Sequence, residues 1–143
     1  VMAMLRLSTR ASDGKANLHK GAVGVGLDIA TGRCLHAVQY SKRIIRHPDT
    51  GIDLNTIAIP DWKNLLELAA RSYEITRLGY IGADLVVDKN AGPMLLELNA
   101  RPGLSIQVAN GAGLLPRLKK IEALDPDFSP RAKQRVEFAM NEF

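Results

Sequence analysis

Long hydrophobic runs are the first thing this sequence lacks. No apolar stretch approaches the roughly 18 residues that a membrane-spanning helix requires, and nothing resembles a secretory leader. The expectation is a cytoplasmic protein with no membrane partner. Cysteine is almost absent as well. Cys34 alone rules out an internal disulfide framework and suits a reducing compartment. Strong charge is missing too: a formal net charge of +4 favours anionic ligands but is too weak to argue for nucleic acid. There is no internal repeat and no low-complexity segment. The sequence also opens without an initiator methionine, at Val1 and inside a strand-like run, so it is expected to be the later part of a longer chain.

What is present is an ordinary globular balance, 46% apolar and 24% charged, over 143 residues. That is enough for one domain, or a large piece of one, with a real core. Val1–Thr9 reads as a strand interrupted by Arg6, which is either an exposed charge or a cation aimed at a ligand from the sheet. Arg10–Gly21 has no periodicity and carries Lys15, Asn17, His19 and Lys20. It is either a solvated hairpin loop or a loop that folds over polyphosphate, where Lys brings charge and Asn and His bring directed hydrogen bonds. Ala22–Ile29 and Arg33–Tyr40 read as a hairpin. Gly24 and Gly26 in its first strand mark a bulge or a close approach of backbone or ligand. His36 reads as a strand residue, not a ligand. Ser41–Ile59 is irregular, and its cations Lys42, Arg43 and Arg46 form either a solvated rim or an anion site before the His47–Gly51 turn.

Asp61–Arg77 is the clearest helix, capped by Asp61, with Trp62, Leu65, Leu66, Ala69, Tyr73 and Thr76 on one stripe. That stripe is expected to cover the hairpin that follows. A short helix is expected within Leu104–Gly113, and two more at Gly113–Asp125 and Ser129–Phe143. The last has Ser129 as cap, Pro130 at its first position, and Ala132, Val136, Ala139, Met140 and Phe143 on one face. The order predicts an α+β fold with a mostly antiparallel sheet and helices packed on one face. The expected division is a domain over residues 1–125 and a terminal helix over 126–143.

The segment around Asp84 and Glu97 is the most informative. Tyr80–Asp88 and Pro93–Ala100 have the apolar density of half-buried strands, and Lys89–Gly92 has turn chemistry. Pairing Asp88 with Pro93 places Asp84 opposite Glu97, Gly82 opposite Asn99 and Val86 opposite Leu95. Ile81, Ala83, Leu85 and Val87 then share a core face with Met94, Leu96, Leu98 and Ala100. The other face holds an apolar pair, an acidic pair, and a glycine beside an amide. Two carboxylates directly opposed are destabilising in a bare sheet. A bound cation reverses that sign, and magnesium suits a site with few carboxylates that is completed by phosphate and water. The plainer alternative is that each carboxylate finds its own Lys or Arg. Asp88 and Lys89 read as solvated.

With its GADLVVD and LLELNARPGL strands and the loop KANLHKGA, the chain resembles the C-terminal part of the ATP-grasp carboxylate–amine ligases, and among them the RimK-like α-L-glutamate ligases. The likeness runs from about Val1 to Leu115. It implies the C-terminal subdomain of the ATP-grasp fold. It also implies an ATP-dependent ligase that joins a carboxylate to an amine, in an amino acid, peptide or protein tail, through an acyl phosphate. Asp84, Glu97 and Asn99 are then expected to hold one or two Mg2+ ions (Mn2+ as a substitute), with Glu97 bridging. Arg6 and Lys15 are expected at the γ-phosphate and acyl-phosphate transition state, Lys15 standing where these ligases commonly have Arg. Asn17 and His19 are expected to order the loop near phosphate. Val86 and Leu96 are expected to contact adenine, Leu96 by way of a bulge near Leu95 that would bring it to the acidic face, and Arg101 and Ser105 a carboxylate or acyl phosphate. Such ligases bind ATP between two subdomains, and the first of them is not in this sequence, so the chain is expected to hold magnesium-nucleotide weakly. The alternatives are a non-catalytic binding module derived from this fold, or an ATP-grasp ligase with another acceptor.

Overall fold

A computed structural model of the chain describes residues 1–125 and 130–143. In chain order its elements are β1 (Ala3–Leu7), β2 (Val23–Leu27), β3 (Cys34–Gln39), β4 (Lys42–Arg43), α1 (Trp62–Ala70), α2 (Ser72–Thr76), β5 (Gly82–Asp88), β6 (Gly92–Asn99), α3 (Ser105–Asn110), α4 (Leu115–Glu122) and α5 (Ala132–Glu142). The fold class is α+β, as the sequence predicts. Among the described residues every strand pair is antiparallel, but the strands form two sheets instead of one. The chain forms two compact units. One comprises Val1–Ile59, Leu104–Leu124 and Phe143, and the other Pro60–Gly103 and Asp125–Glu142. No described helix is long and apolar enough to cross a membrane.

The first unit is built on a sheet in the order β1-β2-β3-β4. All five residues of β2 are buried, because neighbours cover both of its faces. Helix α3 lies against one face, and Gly26 makes that approach possible. A Cβ there would lie 2.6 Å from the Cα of Asn110 and closer still to the Ala109 carbonyl oxygen. Both readings of the glycines therefore apply, since the β2–β3 register also shifts between Gly26 and Leu27. His36 faces α3, with Nδ1 3.3 Å from the Ala109 carbonyl, which fits a structural strand residue. Val25, Ala37, Ile29 and Leu54 complete the core. The segment read as irregular, Ser41–Ile59, contains the two-residue edge strand β4 and a 3-10 turn at Leu54–Thr56, where the Asp53 carboxylate caps the Asn55 N–H.

In the second unit α1 packs on the β5–β6 hairpin and on α5. Its stripe behaves as expected around the buried Leu65, but Asp61–Arg77 is not one helix. It is interrupted at Arg71, and Ser72, not Tyr73, is the next buried residue. Nor does Asp61 cap in the usual way. It adopts left-handed backbone at φ 52°, and its carboxylate accepts from the Asn64 side-chain amide at 2.6 Å instead of from a backbone N–H. Helix α5 buries Ala132 and Val136 on the expected stripe. The expected cap Ser129 lies outside the described residues. Arg135 ties α5 to the α1–α2 segment. It donates to the Ala70 carbonyl at 2.8 Å and to Glu74 at 2.6 Å, and its guanidinium stacks 5.1 Å from the Tyr73 ring centre.

Candidate functional site

The second unit's hairpin presents the acidic pair as the sequence predicts. Asp84 lies directly opposite Glu97, and Gly82 opposite Asn99. Beyond that point the pairing differs. Asp88 pairs with Gly92, Val87 with Pro93, Val86 with Met94 and Leu85 with Leu95, so the register shifts by one residue between Asp84 and Leu85. The turn accounts for the outer register. It is a three-residue loop, Lys89–Ala91, followed by Gly92 at φ 73°, a left-handed position that suits glycine. The Asp88 carboxylate accepts from the N–H groups of Asn90 and Ala91, both at 2.8 Å. Those bonds hold it below the usual carboxylate range, so Asp88 is solvated but organises the turn. The inner register requires one residue more, and Leu96 is that residue, extruded as a bulge.

The bulge corrects the expected faces. Met94 turns over to the acidic face beside Val86, while Leu95 and Pro93 come to the core face opposite Leu85 and Val87. Pro93 accordingly lines a depression with Asn64, Glu67, Leu68 and Arg71 of the α1 segment. Met94 and Leu96, both expected in the core, are 43% and 64% exposed, and Val87 is exposed as well. The acidic face therefore carries an exposed apolar end at Val86 and Met94, and the bulge residue Leu96 is exposed as well. At its inner end Pro102 closes over Gly82: a Cβ on that glycine would lie 2.7 Å from the Pro102 Cβ and 3.6 Å from the Asn99 Cβ. Met94 is the residue that strand alternation missed. No turn or glycine signal in LLEL announces the bulge.

Asp84 is half-buried and Glu97 exposed, and Glu97 makes no ion pair with a described residue. Among the described residues no group of three or more His, Cys, Asp or Glu side chains could hold a metal. The candidate set is two carboxylates and an amide, which fits a hard cation that takes most of its oxygens from phosphate and water.

The remaining candidates are distributed between the units. Arg6 lies on β1 opposite Gly24, on the sheet face that α3 packs against, and is exposed. Lys15, Asn17 and His19 share one exposed loop, where Asp13 stands 3.7 Å from Lys15. Asn17 is structural at least in part. Its side chain accepts from the His19 N–H at 3.0 Å and starts a 3-10 turn at Leu18–Lys20. Ser105 opens α3 in the first unit, whereas Arg101 is exposed in the second. Of the cation cluster, Arg46 donates to the Gly51 carbonyl at 3.0 Å. His47 is buried, accepts from the Asp49 N–H at Nδ1 and so donates from Nε2 to the Ser8 carbonyl.

The model of one protein family, described as sugar-transfer associated ATP-grasp, matches residues 1–123. The chain belongs to that family. Membership in the ATP-grasp group carries ATP binding and ligase-type chemistry with it, in agreement with the likeness in the hairpin and loop motifs. The match is to a family described by sugar transfer, not by glutamate addition. No curated protein and no solved structure matches the chain.

Proposed function

We propose that this chain carries the metal-and-phosphate part of an ATP-dependent ligase that forms an amide bond between a carboxylate and an amine. The observation that carries this reading is the direct opposition of Asp84 and Glu97 on a surface with an apolar end and an amide beside them. A sheet retaining two like charges face to face costs about 0.2–1 kcal/mol relative to a neutral pair, and a cation removes that cost. Asp84, Glu97 and Asn99 would hold one or two magnesium ions, whose role is to neutralise phosphate charge and polarise the transferring phosphoryl group. Val86 and Leu96, joined by Met94, would give the purine an apolar contact.

Arg6 and Lys15 would stabilise charge that develops on the γ-phosphate and acyl phosphate. Fixed cations there lower the barrier because they need no reorganisation. Lys15 offers a point charge without the two-pronged geometry of Arg. Asn17 shapes the loop and His19 supplies a directed hydrogen bond. Arg101 and Ser105 would receive the substrate carboxylate. Glutamate is our choice of amine, supported by the Lys15–Ala22 motif, while the family's description supports an acceptor that carries a sugar. ADP release by the enzyme, measured against a panel of amino acids, peptides and amino sugars, decides between them. Turnover should require Glu97 and Asp84. Full activity in both Glu97→Gln and Asp84→Asn would refute the metal assignment.

A further inference from the structure

The loop that carries Lys15, Asn17 and His19 is closed at its base by buried hydroxyls. Thr9 and Ser12 are both buried and bond reciprocally. The Thr9 N–H donates to Ser12 Oγ at 2.9 Å, and the Ser12 N–H to Thr9 Oγ1 at 3.1 Å. The Ser12 hydroxyl donates to the Thr9 carbonyl at 3.0 Å, and the Thr9 hydroxyl to the Gly21 carbonyl at 2.8 Å. Gly21 thus ties the loop's exit to its entry, and its carbonyl also accepts from the Gln39 side-chain amide at 2.8 Å.

Tyr40 completes this closure at a conformational cost. Gly21 sits at φ 97°, and a Cβ there would meet the Tyr40 hydroxyl oxygen first, then Tyr40 Cζ at 2.6 Å and the Ala11 Cβ at 3.1 Å, so the hydroxyl-bearing end of the phenol ring lies against Gly21. Tyr40 and Ser41, at φ 49° and 60°, form the two-residue turn between β3 and β4, where Gln39 pairs with Lys42. Turns with both residues left-handed favour Asn-Gly or Asp-Gly, and an aromatic side chain there is strained. Turn chemistry therefore argues against tyrosine, and burial does not explain it either, because Tyr40 is 58% exposed. What the tyrosine does supply is the ring on Gly21. Strained residues of this kind persist where surrounding contacts hold them and a function uses the result.

We propose that Tyr40 is a positioning residue, a clamp that fixes the Arg10–Gly21 loop so that Lys15 and His19 are presented to phosphate in one geometry. The second half of this claim rests on the phosphate role proposed for the loop. Tyr40→Asn separates the two. Asn suits the left-handed position, so the melting temperature should hold or rise by a few degrees. Amide exchange across residues 13–21 should quicken at least about tenfold as the closure loosens. Tripolyphosphate, titrated against the chain and followed at the Lys15 and His19 resonances, should bind about three to ten times more weakly. Tyr40→Phe keeps the ring and should restore both exchange and affinity. Unchanged exchange in Tyr40→Asn, or a fall in its melting temperature, overturns the clamp. Faster exchange with undiminished tripolyphosphate affinity overturns its part in presenting phosphate ligands. Failure of the unaltered chain to bind tripolyphosphate overturns the loop's phosphate role, and the exchange result then decides the clamp alone.

Discussion

Strand β2 of the first unit and the β5–β6 hairpin of the second are both apolar segments with glycines inside them, yet they use those features in opposite ways. In β2 Gly26 admits a helix backbone, Gly24 admits side chains, and all five residues disappear into the core. In the hairpin, Gly82 meets Pro102 at one end, and Val86 and Met94 stay exposed on the face that bears Asp84 and Glu97. The contrast separates a strand that makes a core from one that makes a surface for chemistry. It also gives a physical test: changes in β2 should cost stability, and changes on the acidic face should cost function.

The largest expected effect is at Gly26. Gly26→Val places two methyls where Ala109 and Asn110 backbone already lies, and should cost about 3 kcal/mol or more, read as loss of the cooperative denaturant transition. Asp84→Asn and Glu97→Gln should behave in reverse. Turnover should fall about 10²–10³-fold, while thermal stability without metal stays level or rises slightly as the repulsion is relieved. Loss of both stability and activity in these variants would make the carboxylates structural and erase the contrast. Within the second unit, Glu74 contributes to the acid limb of stability. Its hydrogen bond from Arg135 lowers its pKa below the ordinary value of 4.5. A depressed carboxylate stabilises the fold above its unfolded pKa, and that contribution disappears as pH falls through the lower folded value. Glu74→Gln should therefore lose this small contribution at neutral pH, match the unaltered chain at low pH, and so flatten the stability profile below about pH 4.5, as followed by urea titration at several pH values. The smallest change belongs to Leu96→Ala. At 64% exposure its stability cost should stay within about 0.5 kcal/mol, while nucleotide affinity weakens.

Much of this contrast could be read from residues alone, for a reason that the hairpin makes plain. The opposition of Asp84 and Glu97 came out as expected although the expected turn was wrong by one residue. The three-residue loop at Lys89–Ala91 shifts the register one way and the bulge at Leu96 shifts it back, so the two departures cancel at the acidic pair. The turn's length could not be foreseen, whereas the adenine contact implied for Leu96 already called for a bulge near Leu95. Gly92 signals a turn without fixing its length, and a bulge in LLEL has no residue to mark it. The same bulge explains why Met94 was assigned to the core and Val86 paired with Leu95. Helix periodicity likewise found the segment after Asp61 but not its break at Arg71, because Ser72 is buried where the pattern favoured Tyr73. In the first unit the T-x-x-S spacing of Thr9 and Ser12 is a sign of a hydroxyl-closed turn that reading Arg10–Gly21 simply as a loop left unused. Tyr40 was not readable, since its left-handed backbone contradicts its residue type.

Manganese broadening tests the central claim most directly. Titrating Mn2+ into the chain should broaden the amide resonances of Asp84, Glu97 and Asn99 first, and Glu97→Gln should abolish that localised effect. Broadening that begins elsewhere, or that survives in Glu97→Gln unchanged, would contradict a metal platform on this hairpin.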